Sequence, residues 1–521
     1  MPQAPRILWA DDEIDLLKPH ILFLESKGYS VTSVSNGSDA VEKVRSERFD
    51  AVLLDEQMPG MGGLEALAAI NRVAPELPVV MITKSEEERL MEEALGNRIS
   101  DYLTKPVNPS QVLLTCKRIL ERSRFQSRAV SQNYLQSFNR ITSALSDRLD
   151  CDEWIELYRQ LVRFDLDLEG DESVRQILED QYREANRIFG RFLEDHYEAW
   201  IAGADEKPGR DRPSMSHDVV MQSVLPLLSR KKPVVFFVID CMRYDQWLML
   251  EPLLYPLYNI ETSFHYSILP TATPYSRNAI FSGLLPRELA RAYPKLWAEG
   301  EEDEHSRNRD EELFLRELLK RKRHDVKLRY DKLTGTNDGR DFAGAVSDLK
   351  RFDLSAVVVN FVDILAHSRS DSAVLKEIAP DERAYRALTR TWFEHSWLYQ
   401  ALQALARDEV TVVITSDHGA VRSLHPAKVL GDRHTSTALR YKYGRNLNCE
   451  DKHAIFVRDP ATYGLPTGGA NTNYIIARED YYFVYPTNYS QYVNRYRDTL
   501  QHGGASLEEV ILPVATMSPR K

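Results

Sequence analysis

Hydrophobic and polar positions change rhythm along the chain. Over residues 1–120, short β-rich runs ("RILWA", "YSVTSV", "FDAVLLD", "LPVVMIT" and "DYLTKP") alternate with amphipathic helical stretches. Five such repeats predict a parallel sheet covered by helices on both faces, the flavodoxin-like doubly wound arrangement. From 121 to about 202 the apolar residues recur at helical spacing instead. Tyr134, Phe138, Ile141, Leu145 and Leu149 form one stripe, Trp154, Ile155, Tyr158, Leu161 and Val162 a second, and Ile177, Ile188, Phe189 and Phe192 a third. No strand-like run interrupts them. A central three-helix bundle or linker over 121–205 is expected, acting as a spacer, a dimerisation element or both.

"GADEKPGRDRPSMS" (203–216) has the Gly, Pro and charge content of a linker. A second α/β domain is expected over 206–521, with buried-strand candidates "KPVVFFVID" (232–240), "LSAVVVNFVD" (354–363) and "VTVVITSD" (410–417). Each run ends on an aspartate. Open α/β sheets bind ligands beyond the carboxyl ends of their strands, so Asp240, Asp363 and Asp417 are expected to converge there.

Composition narrows the function classes. The 521-residue chain is 43% apolar and 28% charged, as globular proteins are. A net charge of −11 argues against general polyanion binding. The absence of a basic, apolar leader and of any membrane-length apolar run predicts a cytoplasmic protein without membrane insertion. Cys116, Cys151, Cys241 and Cys449 are scattered, which suits reduced thiols and disfavours a cysteine metal site.

In the first domain Asp11 and Asp12 follow the first run and Asp55 ends the third, while Thr83 ends the fourth and Lys105 follows the fifth. Carboxylates this close repel unless a cation lies among them, and oxygen-only ligands favour Mg²⁺. A lysine and a hydroxyl opposite would neutralise and hydrogen-bond a transferred phosphoryl group. These residues resemble the receiver domain of two-component response regulators. The resemblance implies that Asp55 accepts phosphate from a sensor histidine kinase. It also implies that Asp11, Asp12, Asp55 and the main-chain carbonyl of Gln57 hold Mg²⁺. Thr83 and Tyr102 would be the switch residues, and Lys105 would pair the phosphate.

The C-terminal half offers a different donor set. His367 stands four residues after Asp363, a spacing that puts both side chains on one face of a helical turn. "QHGGASLEEVILP" places His502 before two glycines, where the chain can bend closely around a ligand. With Asp240, Asp417 and His418 these make a mixed nitrogen and oxygen set that suits Zn²⁺ (or Mn²⁺) better than Mg²⁺. A nucleophile is expected from "LPTATPYSRNAIFSG" (269–283), where Thr271 and Thr273 precede a helical stretch whose N-terminus favours an anionic substrate. Arg243, Asn278 and His434 are candidates for contacting the substrate phosphate. His434 lies in the basic stretch "DRHTSTALRYKYGRN" (432–446) with Arg440 and Lys442. Tyrosines between Tyr474 and Tyr496 could pack, or stack on nucleobases.

This half resembles the alkaline phosphatase superfamily, and within it the PglZ branch, whose opening pattern is echoed by "VIDCMRYDQW". In that superfamily a glycine follows the nucleophile by ten residues. Counting back from Gly283 gives Thr273, with Thr271 as the alternative. The resemblance implies one metal held by Asp240, Thr273, Asp417 and His418, and another by Asp363, His367 and His502.

Receiver, helical bundle and PglZ domain in this order resemble the PorX-like response regulators of type IX secretion. The resulting expectation is a phosphorylation-controlled homodimer with a two-zinc phosphodiesterase domain acting on nucleotides or short oligonucleotides, cyclic or linear. Monoesters carry an extra charge that needs further cationic partners, so a simple two-metal site suits diesters. A reading from another class is a non-catalytic metal-containing module that grips a sigma factor or secretion component; the hydroxyl of Thr273 favours the enzyme. No helix-turn-helix with a basic recognition helix is evident.

Overall fold

The computed structural model describes residues 4–84, 99–168, 172–209, 211–228, 232–298, 308–431, 438–467 and 472–520. It divides into two compact units, Met1–Tyr134 and Leu135–Lys521.

The first unit contains a five-stranded parallel sheet built from Arg6–Ala10, Ser30–Val34, Ala51–Asp55, Val79–Thr83 and Asp101–Thr104. The spatial order is 2-1-3-4-5, the flavodoxin-like topology. Alternate residues face opposite helical layers. Leu8, Val52 and Leu54 pack with Val41, Leu67 and Ile70 on one side. Ile7, Trp9, Leu53 and Ile82 pack with Leu24, Val112 and Cys116 on the other. Both faces are therefore apolar, and the central strand "AVLLD" is buried throughout. All five expected strands are present. The helix that follows runs unbroken over Pro109–Ser146. The expected boundary at 120 thus falls inside an element, since no Gly or Pro after Pro109 stops the helix there.

In the second unit a six-stranded sheet has the order Tyr258–Tyr266, Ile511–Pro519, Thr411–Thr415, Val234–Ile239, Leu354–Val359, Leu328–Leu333. The last four are mutually parallel, and the C-terminal strand is antiparallel to both its neighbours. The three aspartate-ending runs form adjacent strands, but the run that contains Asp363 is shorter than its apolar pattern. The chain leaves it after Val359 and enters the helix Phe361–Asp371, so Asp363 projects from a first helical turn and not from a strand end.

The helices Cys151–Asp167 and Glu172–Ala202 do not stand free as a spacer. Asp150 and Glu153 form a capping box that fixes the start of the first. Trp154, Tyr158, Phe189 and Trp200 then form an aromatic layer that reaches Tyr244 and Tyr266 of the α/β domain. The Tyr266 hydroxyl donates to the Cys151 carbonyl at 2.8 Å, which ties the helix Cys151–Asp167 to the edge strand Tyr258–Tyr266. The stretch expected to be a linker is anchored too. Arg212 is buried and donates to the Asp218 carboxylate at 2.7 Å and to the carbonyls of Ala204 and Glu206. Composition alone does not show a buried arginine. Among the described residues no helix is long and apolar enough to cross a membrane.

Candidate functional site

At the carboxyl end of the first sheet, Lys105 Nζ stands 3.0 Å from both Asp11 Oδ2 and Asp55 Oδ2. Carboxylate oxygens of Asp11, Asp12 and Asp55 lie within 4.8 Å of one another. Burial pushes the Asp55 carboxyl up to about 6, with Lys105 opposing the shift and Asp11 adding to it. An all-oxygen trio this dense, with a buried Asp55 left partly uncompensated, fits Mg²⁺. The Thr83 hydroxyl donates to the Glu56 carboxylate, Tyr102 is 49% exposed, and Gln57 is exposed in the loop after Asp55.

In the second sheet the strand ends and two loops bring the expected donors together as two triads. Ligand atoms of Asp240, Asp417 and His418 lie within 4.8 Å of one another, and so do those of Asp363, His367 and His502. The triads abut: the His418 and His502 rings stack with centroids 4.2 Å apart. Thr273, the first residue of the helix Thr273–Ser282, sets its Oγ1 2.9 Å from His418 Nε2. Thr271 is buried, and its hydroxyl donates to the Gly504 carbonyl at 2.7 Å. Of the two hydroxyls, Thr273 is the one aimed at the triads.

Local geometry explains the sequence around these donors. A Cβ on Gly419 would stand 1.9 Å from the Glu508 carbonyl oxygen, and one on Gly504 would stand 2.1 Å from the Arg440 guanidinium. Only glycine fits at 419, against a backbone carbonyl, and at 504 a side chain would displace the buried Arg440 guanidinium. Cys241 adopts φ +66°, a left-handed turn held in part by its N–H donating to Asp417 Oδ1 at 3.3 Å. His418 Nδ1 lies 3.1 Å from the Gly419 carbonyl, which assigns the ring proton to Nδ1 and leaves Nε2 to accept from the Thr273 hydroxyl.

The charges are those of a cation site. Burial raises Asp240 to about 7 and Asp417 to about 6, with Arg277 opposing both shifts. Burial also works against the Asp363 carboxylate, but the bond to His367 and the nearby His502 hold it well below the usual range. His418 and His502 are lowered by burial, whereas the bond to Asp363 raises His367. Asp240 Oδ1 and Asp417 Oδ2 are buried without a hydrogen bond. Three converging carboxylates, three imidazoles and these orphaned oxygens fit Zn²⁺.

The expected phosphate contacts fare differently. The Arg243 guanidinium is taken up by Asp245, 2.9 Å from its Nε, and by Glu382. Asn278 is buried, donating to the Pro274 carbonyl at 3.0 Å. Each is thus engaged with a partner in its own or a neighbouring helix. His434 lies outside the described residues. Arg440 is fully buried against Glu509, and Lys442 Nζ sits 5.0 Å over the Tyr485 ring, so these two form no exposed basic strip. Tyr474 and Tyr482 are core residues, while Tyr492 and Tyr496 stack on each other.

Sequence reasoning missed Arg277, Glu311 and Asn308. Arg277 Nη1 donates to Asp240 Oδ2 at 2.7 Å and its Nε to Glu311 at 2.6 Å. Asn308 donates to the Thr273 carbonyl at 3.1 Å and to Glu311 at 2.9 Å. The available signal was a cation four residues after Thr273, one turn along the same helix face. Glu311 and Asn308 come from a stretch that carried no motif.

Comparison with known proteins finds three family models along the chain. The response regulator receiver domain matches residues 7–117, the PorX response regulator linker domain 124–201, and the BREX system PglZ alkaline phosphatase-like domain 219–517. Among curated relatives, the transcriptional regulatory protein CpxR homolog of Haemophilus influenzae is 34% identical over 139 residues, 26% of this chain and 60% of that protein. The alkaline phosphatase synthesis transcriptional regulatory protein PhoP of Bacillus subtilis is 33% identical over 120 residues, 23% of this chain and 49% of that protein. The chain thus spans about half the length of these curated relatives. A similar solved structure is a CheY-like response regulator receiver domain protein from Methanospirillum hungatei JF-1. It is 28% identical, covering 23% of this chain and 96% of that one, with a TM-score of 0.23.

Proposed function

The chain belongs to the PglZ alkaline phosphatase-like family, in the PorX-like order of receiver, linker and PglZ domain, and from that premise we propose that it is a phosphorylation-controlled phosphodiesterase. It uses two zinc ions, acts in the cytoplasm on nucleotides or short linear or cyclic oligonucleotides, and serves type IX secretion. The observation that carries this is the placement of Thr273 Oγ1 2.9 Å from His418 Nε2, beside two abutting donor triads.

Asp240, Thr273, Asp417 and His418 would hold one ion, and Asp363, His367 and His502 the other. When bound, zinc supplies Lewis acidity and charge neutralisation at the phosphoryl group. The chain's own residues do the rest. Thr273 Oγ attacks phosphorus in line, so that an Oγ–P bond forms as the ester P–O bond to the leaving alcohol breaks; water then cleaves the Oγ–P bond and restores the hydroxyl. The Gly419 carbonyl fixes the His418 ring, and Asn308 holds the Thr273 main chain. Arg277 is committed to Asp240 and Glu311, and Arg243 to Asp245 and Glu382. Neither is free to meet the extra charge of a monoester, which supports a diester substrate.

The receiver implies a sensor kinase as partner. Asp55 accepts the phosphoryl group, Asp11, Asp12 and the Gln57 carbonyl help to hold Mg²⁺, and Lys105 pairs the new charge. Thr83 and Tyr102 then repack the face used for self-association. Elemental analysis tests the hydrolase directly: two zinc ions per chain are expected, with bis-p-nitrophenyl phosphate turned over in preference to p-nitrophenyl phosphate. Protein that holds no transition metal and cleaves neither ester would refute the reading.

A further inference from the structure

We propose that Asn186 and Tyr197, on the helix Glu172–Ala202, are positioning residues for the metal centre: one holds the segment that carries His502 and supports His418, the other the loop that carries Thr273. The proposal rests on the hydrolase reading and adds that the linker segment is part of the catalytic scaffold.

Asn186, Gly190, Glu194 and Tyr197 recur every three to four residues and so share one helix face. Each meets the α/β domain. Asn186 Oδ1 accepts the Leu507 N–H at 2.7 Å, and its Nδ2 donates to Glu508 Oε2 at 3.1 Å. A Cβ on Gly190 would lie 3.4 Å from the Arg478 side chain, which ion-pairs with Glu194. The Tyr197 hydroxyl accepts the Leu269 N–H at 2.8 Å. Asn186 is 6% exposed and Tyr197 1%, so water cannot replace either partner when one is removed.

What these bonds hold is the centre itself. The turn Leu507–Val510 closes on Gly419 so tightly that no Cβ fits, and the Gly419 N–H donates to the Glu509 carbonyl at 3.2 Å. The Asp417–His418 turn therefore rests on the segment that Asn186 grips. The same segment reaches back to His502, because Glu509 Oε1 accepts the Gly504 N–H at 2.8 Å. On the other side, Leu269 opens the loop that ends in Thr273. Midway along that loop Thr271 donates to the Gly504 carbonyl, so the two segments are also tied to each other. Both positioning residues fall in the stretch matched by the linker model, residues 124–201. A displacement of about 1 Å at reacting groups can cost about a hundredfold in rate, so two hydrogen bonds from one helix face are enough to matter.

The test uses the full-length protein and its Asn186→Ala and Tyr197→Phe variants, first stripped of metal and titrated with Co²⁺ by visible absorption, then assayed on bis-p-nitrophenyl phosphate. Asn186→Ala is expected to weaken one of the two Co²⁺-binding steps about tenfold, the step that His502→Ala removes. Tyr197→Phe is expected to leave both steps in place and to lower kcat at least about tenfold at unchanged KM. If the alanine variant fails to fold, Asn186→Asp keeps the acceptor for Leu507, loses the donor to Glu508, and should weaken the same step. Folded variants whose Co²⁺ affinities and kcat stay within twofold of the parent overturn the proposal. A parent protein that binds Co²⁺ twice but hydrolyses no diester refutes the hydrolase reading alone, because the Co²⁺ titration still decides the role of Asn186.

Discussion

Thr273 and His418, 145 residues apart in the chain, meet with 2.9 Å between Oγ1 and Nε2. Thr271, two residues earlier, gives its hydroxyl to the Gly504 carbonyl instead. Thr273→Val should therefore lower diesterase kcat by roughly 10³-fold or more while leaving the fold intact. Thr271→Val should lower kcat far less, by about tenfold, through the lost tie between the two segments, and cost about 1–3 kcal/mol of stability, because a buried carbonyl loses its donor. Steady-state kinetics and thermal unfolding of the two variants check this. Inactivity of Thr271→Val with retained activity of Thr273→Val would reverse the assignment.

Most donors of both sites could be read from the sequence because they stand just after a β-rich run or one helical turn from another donor, and His502 because two glycines follow it. Strand ends and helix faces are set by local pattern. Asp363 shows where this stops. The helical turn shared with His367 was legible, but the end of the strand at Val359 was not, since an apolar run does not reveal where strand pairing ends. Arg243 and Asn278 carry the right chemistry, yet Asp245, Glu382 and Pro274 occupy them, and such partnerships are settled by packing. Arg277 and Asn308 depended on long-range approach and left almost no local signal. The linker helices were legible as helices; their docking on Tyr244 and Tyr266 was not.

Glu508, whose carboxylate accepts from Asn186, provides a separate pH test. Burial pushes its carboxyl up to about 7, above the ordinary 4.5. Folding therefore takes up a proton between those values. The stability contributed by the neutral carboxyl is complete below 4.5 and is lost as pH rises through 7. Glu508→Gln should match the parent near pH 4.5 and exceed it by up to about 3 kcal/mol at pH 8. Thermal unfolding of metal-free protein at both pH values measures this; a difference that does not grow with pH contradicts it.

Asp55 is expected to take beryllofluoride in the presence of Mg²⁺, since Lys105 already bridges Asp11 and Asp55. Light scattering at micromolar protein should then show a doubled mass, and Asp55→Ala should stay unchanged. Moving a mostly monomeric population to mostly dimer needs only a few kcal/mol, within reach of a repacked receiver face. An unchanged mass in the parent protein would exclude phosphorylation-driven pairing while leaving the hydrolase untouched.

The covalent role proposed for Thr273 makes the stereochemistry at phosphorus the most direct test of the catalytic account. A chiral phosphorothioate diester is hydrolysed in ¹⁸O-labelled water, and the configuration of the product is determined. Attack by Thr273 followed by attack of water inverts phosphorus twice, so net retention is predicted. Net inversion would mean a single direct displacement by water, and would contradict Thr273 as nucleophile.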